Sequence, residues 1–207
     1  MSDLKNKVAS YAIVGFGKIG QALARAFARN GIEVSVATTR KPESFASDAA
    51  AIGPGIIPTT LAEAVKADVV FLAVRFESHP DVAKVLLSWQ GKIIVDATNA
   101  YGVPPEKLGG LPSARLVAQA FTSGKLVKGF NHLGAAILNQ DPAVHGGRRV
   151  VFLASDDDGA AGEIGSLAEK LGFAPVKLGS LSEGGLLVQA HGNTWGKLIF
   201  QDLIKFN

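Results

Sequence analysis

The sequence contains no cysteine. Disulfides, thiolate metal sites and cysteine nucleophiles are therefore excluded, and a reducing compartment is permitted. No apolar run reaches the ~18 unbroken residues that a membrane-spanning helix needs. The first residues, Met1 to Lys7, are short and polar, with no apolar stretch and cleavage site behind them. A cytoplasmic protein that meets no membrane is the expectation. Charge is sparse too. Under a fifth of the residues are charged, the formal net charge is +3, and Lys and Arg are scattered rather than gathered into a stripe. No nucleic-acid partner is expected from that distribution, while a mildly basic surface suits an anionic small molecule.

What is present is apolar and periodic. Nearly half of the 207 residues are hydrophobic, enough for one large domain with a sizeable core. Strand-like runs alternate with Ala-rich helical stretches, the signature of βαβ units and a parallel sheet. Strands are predicted at Ser10 to Val14, Glu33 to Ala37, Asp68 to Val74, Lys92 to Ala97, Leu126 to Phe130, Arg149 to Ala154 and Pro175 to Leu178, with a weaker unit over Pro42 to Pro58. Helices are predicted at Lys18 to Asn30, Leu61 to Ala67, Pro80 to Ser88, Ser113 to Thr122 and Asp158 to Leu171, and Thr98 to Gly110 reads as loop. The expected architecture is α/β, a Rossmann-type doubly wound, mainly parallel sheet of about eight strands with a small C-terminal extension. Residues 1–145 would form the dinucleotide-binding domain. Residues 146–207 would complete the sheet and the acceptor or dimer face, the two parts making one compact unit. The tail from Leu181 reads as helical. Its Leu186, Leu187, Leu198, Ile199 and Phe200 suit a dimer element, so a homodimer is expected.

Gly15-Phe16-Gly17-Lys18-Ile19-Gly20 fits G-x-G-x-x-G between the first strand and the first helix. Gly15 would make the tight turn, Gly17 would admit the pyrophosphate, and Gly20 would let helix and strand pack closely. The helix N-terminus would offer free N–H groups and a positive dipole end to phosphate. Roughly twenty residues further on, an NAD-binding unit places Asp or Glu against the ribose hydroxyls. Here the place reads Ala37-Thr38-Thr39-Arg40-Lys41, without a carboxylate. Hydroxyls and cations there would receive a 2′-phosphate that an acid would repel. Arg40 can grip phosphate with a fork of donors and stack on adenine. Lys41 adds a point charge, and Ser44 can help from the next helix. The cofactor expected is NADP(H).

With these residues in hand the chain resembles the family of coenzyme F420-dependent NADP oxidoreductases, and it is similar to the cytosolic domain of mammalian metalloreductases. The resemblance rests on Val14 to Gly20, Thr39-Arg40, Asp68 to Val74, Gly91 to Asn99, Val127 to His132, Ser155 to Asp157 and Leu171 to Phe173. It implies that Ala73, Val74 and Arg75 lie beside the adenosine and pyrophosphate. It places Asn99 and Ala100 at the nicotinamide ribose, and Asn131 to Ala135 at the nicotinamide. The hydride acceptor would stack on the nicotinamide face. Arg75, Phe76 and the segment Asn99 to Leu108 depart from the deazaflavin enzymes, which leaves the acceptor open.

The predicted cleft holds no Ser-Tyr-Lys or His-Asp relay. Hydride transfer to a flavin-like ring needs mainly stacking and alignment, whereas carbonyl reduction calls for a positioned acid. The function expected is hydride transfer between NADPH and a flavin, deazaflavin or similar ring. The alternatives are an NADP(H)-binding sensor or partner module without turnover, and a small imine or ketone reductase acting as a dimer. His132 is the candidate catalytic group, either donating to an acceptor ring or ordering its loop. Asn131 either binds the nicotinamide amide or caps a helix. His79, His145 and His191 share no metal-ligand spacing and read as structural or surface residues. Asp156-Asp157-Asp158 reads as an acidic helix start rather than a cation site. Trp89 and Trp195 read as core or interface, with Phe76, Tyr101 and Trp195 alternatively lining the acceptor pocket.

Overall fold

The computed structural model describes residues 9–190 and the backbone of 203–205. His191, Trp195, Leu198, Ile199 and Phe200, singled out in the sequence, lie outside the described residues. Strand β1 (Tyr11–Val14) leads through the glycine turn into helix α1 (Lys18–Arg29), and β2 (Val34–Ala37) follows. The weak unit resolves into a 3-10 turn (Pro42–Phe45), α2 (Ala46–Ile52) and β3 (Ile56–Thr59). Pro58 sits in β3, the outermost strand on that side, where a missing N–H costs the ladder nothing. Next come α3 (Leu61–Ala64), β4 (Val69–Leu72), α4 (His79–Ala83), β5 (Ile93–Asp96), α5 (Ser113–Ala120) and β6 (Lys125–Gly129). After them lie α6 (Ala135–Leu138), β7 (Ala143–Val144), β8 (Gly147–Ala154), α7 (Asp158–Lys170), β9 (Ala174–Lys177), α8 (Gly184–Leu187) and β10 (Leu203–Lys205).

The parallel strands run in the order β3-β2-β1-β4-β5-β6, with β8 antiparallel to β6 and β9 parallel to β8. The strand order reverses between β1 and β4, and their carboxyl ends, Val14 and Leu72, are register partners. Ligands bind at such a switch point. Among the described residues the sheet holds the about eight strands expected and two more. The additions, β7 and β10, are two- and three-residue pairings onto β8, too short to leave a pattern in sequence. Residues 145 and 146 form the turn of the β7–β8 hairpin, both at positive φ.

Helices cover both faces. Ile13, Val36, Phe71, Val95, Val127 and Val151 pack beneath α1 and α7, and Ala12, Val70, Leu72, Ile94 and Leu126 pack beneath α4 and α5. Edge-on rings Tyr11, Phe27, Phe71, Phe130 and Phe173 run through the first layer at centroid spacings of 5.4, 5.6, 5.6 and 5.9 Å. Helices α3, α4 and α5 are shorter than their patterns suggest. The stretch predicted as Pro80 to Ser88 is helical only over His79–Ala83, because the chain turns back to bury Trp89 against Phe121, with the indole N–H donating to the Ala83 carbonyl. Trp89 is thus a core residue. His79 is buried beside Phe76, and His145 is exposed in its turn. No helix among the described residues is long and apolar enough to cross a membrane.

Two members of the acidic triplet have structural partners, and Asp158 begins α7. Asp157 caps α7, its Oδ1 accepting from Ala160 N–H at 2.7 Å, while Lys125 lies 3.0 Å from Oδ2. Asp156 pairs with Arg115 and accepts from Leu181 N–H. No group of three or more metal-ligand side chains gathers among the described residues. The Ala160 hydrogen bond, then Lys125, holds the Asp157 carboxyl below the usual carboxylate range. A carboxyl depressed by folding stabilises above its unfolded pKa, and that contribution disappears as pH falls through the folded value. Asp157→Ala is therefore expected to lower the melting temperature at pH 7. The gap to wild type should close in melts at progressively more acid pH; a gap independent of pH contradicts the cap.

Candidate functional site

The glycine turn is fixed on three sides. Gly15 N–H donates to the Ala37 carbonyl and Ala73 N–H to the Val14 carbonyl, both at 2.8 Å. Gly15 has φ +101°, and an added Cβ would lie 2.3 Å from the Ala73 oxygen. A Cβ on Gly20 would lie 1.9 Å from the Gly15 oxygen, so the close approach of helix to turn demands glycine. Gly17 is different. Its Cβ position meets nothing within 4 Å, and Gly17 caps α1 without a side-chain hydrogen bond. The first N–H groups of α1 therefore face open space at the positive end of the helix dipole. Lys18 is exposed beside them, Ile19 is half-buried, and Phe16 is buried behind the turn.

The end of β2 adjoins this turn. Thr38 Oγ1 accepts from Arg40 N–H at 2.9 Å, which sets the direction of the loop. The Arg40 guanidinium lies over the Phe45 ring, 5.5 Å from its centroid, and Phe45 packs on Phe16. One cation is thus held on an aromatic shelf continuous with the glycine turn. Ser44 closes the 3-10 turn by donating to the Lys41 carbonyl. Thr39, Arg40, Lys41 and Ser44 are exposed, leaving hydroxyls and cations open to an anion.

From the turn a crevice of about 740 Å³ runs along the carboxyl ends of β1, β4 and β5. Its near wall is Gly17 to Ile19, and its middle is Ala73, Val74 and Arg75. Its far end is walled by Phe76, Thr98, Asn99 and Tyr101. Burial raises the Tyr101 phenol above its ordinary pKa, so the group stays protonated and able to donate at neutral pH.

Not every expected residue reaches the crevice. Ala100 packs against the core beneath α5. Asn131 is buried and holds the loops together, its Nδ2 donating to Asn99 Oδ1 at 3.0 Å and to the Val188 carbonyl at 2.8 Å. Asn99 Nδ2 donates in return to the Asn131 carbonyl. Asn131 does not cap the next helix, because Gly134 precedes Ala135 at its start. Ala135 begins α6, which packs on α1. His132 is buried with its ring against Phe152 and Nε2 3.2 Å from the Val150 carbonyl, contacts that order the loop against β8. Glu77 and Ser78 were missed as wall residues. Also missed was a buried ion pair, Lys128 to Asp96, beneath the far wall. A charge inside each of two apolar runs was the available signal.

The chain is similar to known proteins over most of its length. The family described as NADP oxidoreductase, coenzyme F420-dependent, matches residues 10–100. Metalloreductase STEAP2 of Mus musculus is 30% identical over 174 residues, covering 82% of this chain and 33% of that protein. The chain therefore spans about a third of the length of the curated relatives it matches. A hypothetical protein of Sinorhizobium meliloti is 38% identical with a TM-score of 0.85, covering 90% of this chain and 93% of that one. A putative F420-dependent NADP-reductase of Arthrobacter is 25% identical with a TM-score of 0.67, covering 84% and 86%. The glycine turn, the switch-point crevice and these similarities agree: over residues 10–100 the chain belongs to the family of coenzyme F420-dependent NADP oxidoreductases.

Proposed function

We propose that this protein is a cytoplasmic NADPH-dependent oxidoreductase that passes hydride to a planar ring acceptor of the flavin or deazaflavin type. One observation carries the reading. A single crevice joins an uncapped helix N-terminus beside the Arg40 shelf to an aromatic-walled far end. The residues fit the dinucleotide. Gly17 leaves room for a pyrophosphate, the first turn of α1 supplies its donors, and Arg40, Lys41 and the Thr39 hydroxyl receive a 2′-phosphate. Bound there, NADPH supplies two electrons as hydride, which an oxidised flavin-type ring takes up with a proton. Phe76 and Tyr101 flank the acceptor and exclude water, and the Tyr101 hydroxyl donates to a ring carbonyl. Solvent supplies the proton, since no histidine among the described residues lines this crevice.

Mixing the purified protein with NADPH and a panel of FMN, FAD, riboflavin and coenzyme F420 tests the reading. Oxidation of NADPH with reduction of one ring is expected. NADPH bound without transfer to any ring or simple carbonyl leaves a binding module, and transfer only to an imine or ketone leaves the small-substrate reductase. The proposal includes a homodimer, because Leu186 and Leu187 of α8 are exposed. Light scattering at working concentration checks this, and a monomer removes it.

A further inference from the structure

Asp96 and Lys128 are register partners across β5 and β6, and their side chains are 0% and 1% exposed. Lys128 Nζ lies 3.0 Å from Asp96 Oδ2 and donates to the Thr98 carbonyl at 2.5 Å. Asp96 Oδ1 accepts from Thr98 N–H at 2.9 Å. One peptide unit on each side of Thr98 is therefore gripped by a buried charge. Thr98 stands in the crevice wall, and its hydroxyl is buried with no hydrogen-bond partner among the described residues.

Neither feature favours folding. Two buried ions lose hydration that their attraction barely restores, and apolar side chains of similar size often serve as well or better. A buried hydroxyl without a partner is a further cost. Both meet at one residue of the wall, on the side of the crevice away from the glycine turn. We propose that Asp96 and Lys128 are positioning residues that hold the Thr98 hydroxyl for the carboxamide of the nicotinamide. A hydroxyl can donate to the carboxamide oxygen or accept from its NH2, so either orientation of that group is served. The inference rests on the NADP(H) reading above.

Two variants test it. Thr98→Val keeps the shape and removes the hydroxyl. The double variant Asp96→Asn with Lys128→Met removes both charges at similar volume and keeps an acceptor for Thr98 N–H. Thr98→Val is expected to melt at or above the wild-type temperature, because it removes an unpaired buried hydroxyl. Both variants should bind adenosine 2′,5′-bisphosphate, which occupies only the glycine-turn end, within about twofold of wild type. The fluorescence enhancement of bound NADPH should fall, and hydride transfer at saturating NADPH should drop about tenfold or more. Unchanged fluorescence and transfer in both variants overturn the inference. So does a Thr98→Val protein that melts several degrees lower, which marks a structural hydroxyl. Should the double variant fail to fold, Thr98→Val alone decides. Wild-type protein that binds neither nucleotide removes the NADP(H) reading, and this inference with it; wild type that binds both and variants that behave like it remove the inference alone.

Discussion

Arg40→Glu weakens NADPH binding by about 1–3 kcal/mol, roughly 5- to 150-fold, and leaves NADH binding nearly unchanged. The guanidinium lies on the Phe45 ring at the end of β2, where the ribose of a dinucleotide on this fold ends. Reversing its charge removes a charge-assisted contact to the 2′-phosphate and places a carboxylate there instead. NADH carries no phosphate at that position and has little to lose. Exposed charges are screened over about 10 Å at ordinary ionic strength, so the discrimination should shrink as salt is raised. Titration calorimetry of both cofactors at two salt concentrations measures it. Equal losses for NADPH and NADH would mean that Arg40 does not read the phosphate.

The second large effect separates two glycines of one motif. Gly17 has φ −78° and ψ −165°, an extended conformation open to any residue, and its Cβ direction is free of protein atoms for 4 Å. Gly17→Val is expected to fold with a melting temperature close to wild type. It should lose NADPH affinity by roughly a hundredfold or more, about 2.8 kcal/mol, because the branched side chain fills the space of the pyrophosphate. Gly20→Ala does the opposite. Its Cβ would fall 1.9 Å from the Gly15 oxygen, so the helix must move off the turn at a cost of at least ~1–3 kcal/mol. Thermal melts and NADPH titrations of the two variants side by side check the pair. A Gly17→Val protein with unchanged affinity contradicts the placement of the cofactor.

The parts of the site that follow the chain were legible in its sequence. Gly15, Gly17 and Gly20 carry their roles in their spacing, and Val69–Leu72 and Ile93–Asp96 announce central strands by being apolar almost throughout. Arg40 was visible as a cation where a carboxylate would serve NAD. What supports Arg40 was not, because Phe45 lies in a unit whose pattern Pro54 and Gly55 interrupt. His132 shows the limit more sharply. Its place after β6 was correct, but adjacency to Asn131 says nothing of which way a ring turns, and Val150 and Phe152 hold it against β8. The Asp96–Lys128 pair depends on the register of two strands joined by a long connection, and no short-range pattern encodes a register.

Asn131 has a consequence at a distance. One of its two side-chain N–H bonds reaches Asn99 at the rim of the crevice, and the other reaches Val188 just beyond α8. Coupling between two sites works equally in both directions. A ligand that steadies Asn99 from the crevice is expected to steady the seating of Val188, and loosening α8 to loosen that rim in return. A protease acting after α8 would then serve as a gauge of occupancy at the opposite end of this hydrogen-bonded link.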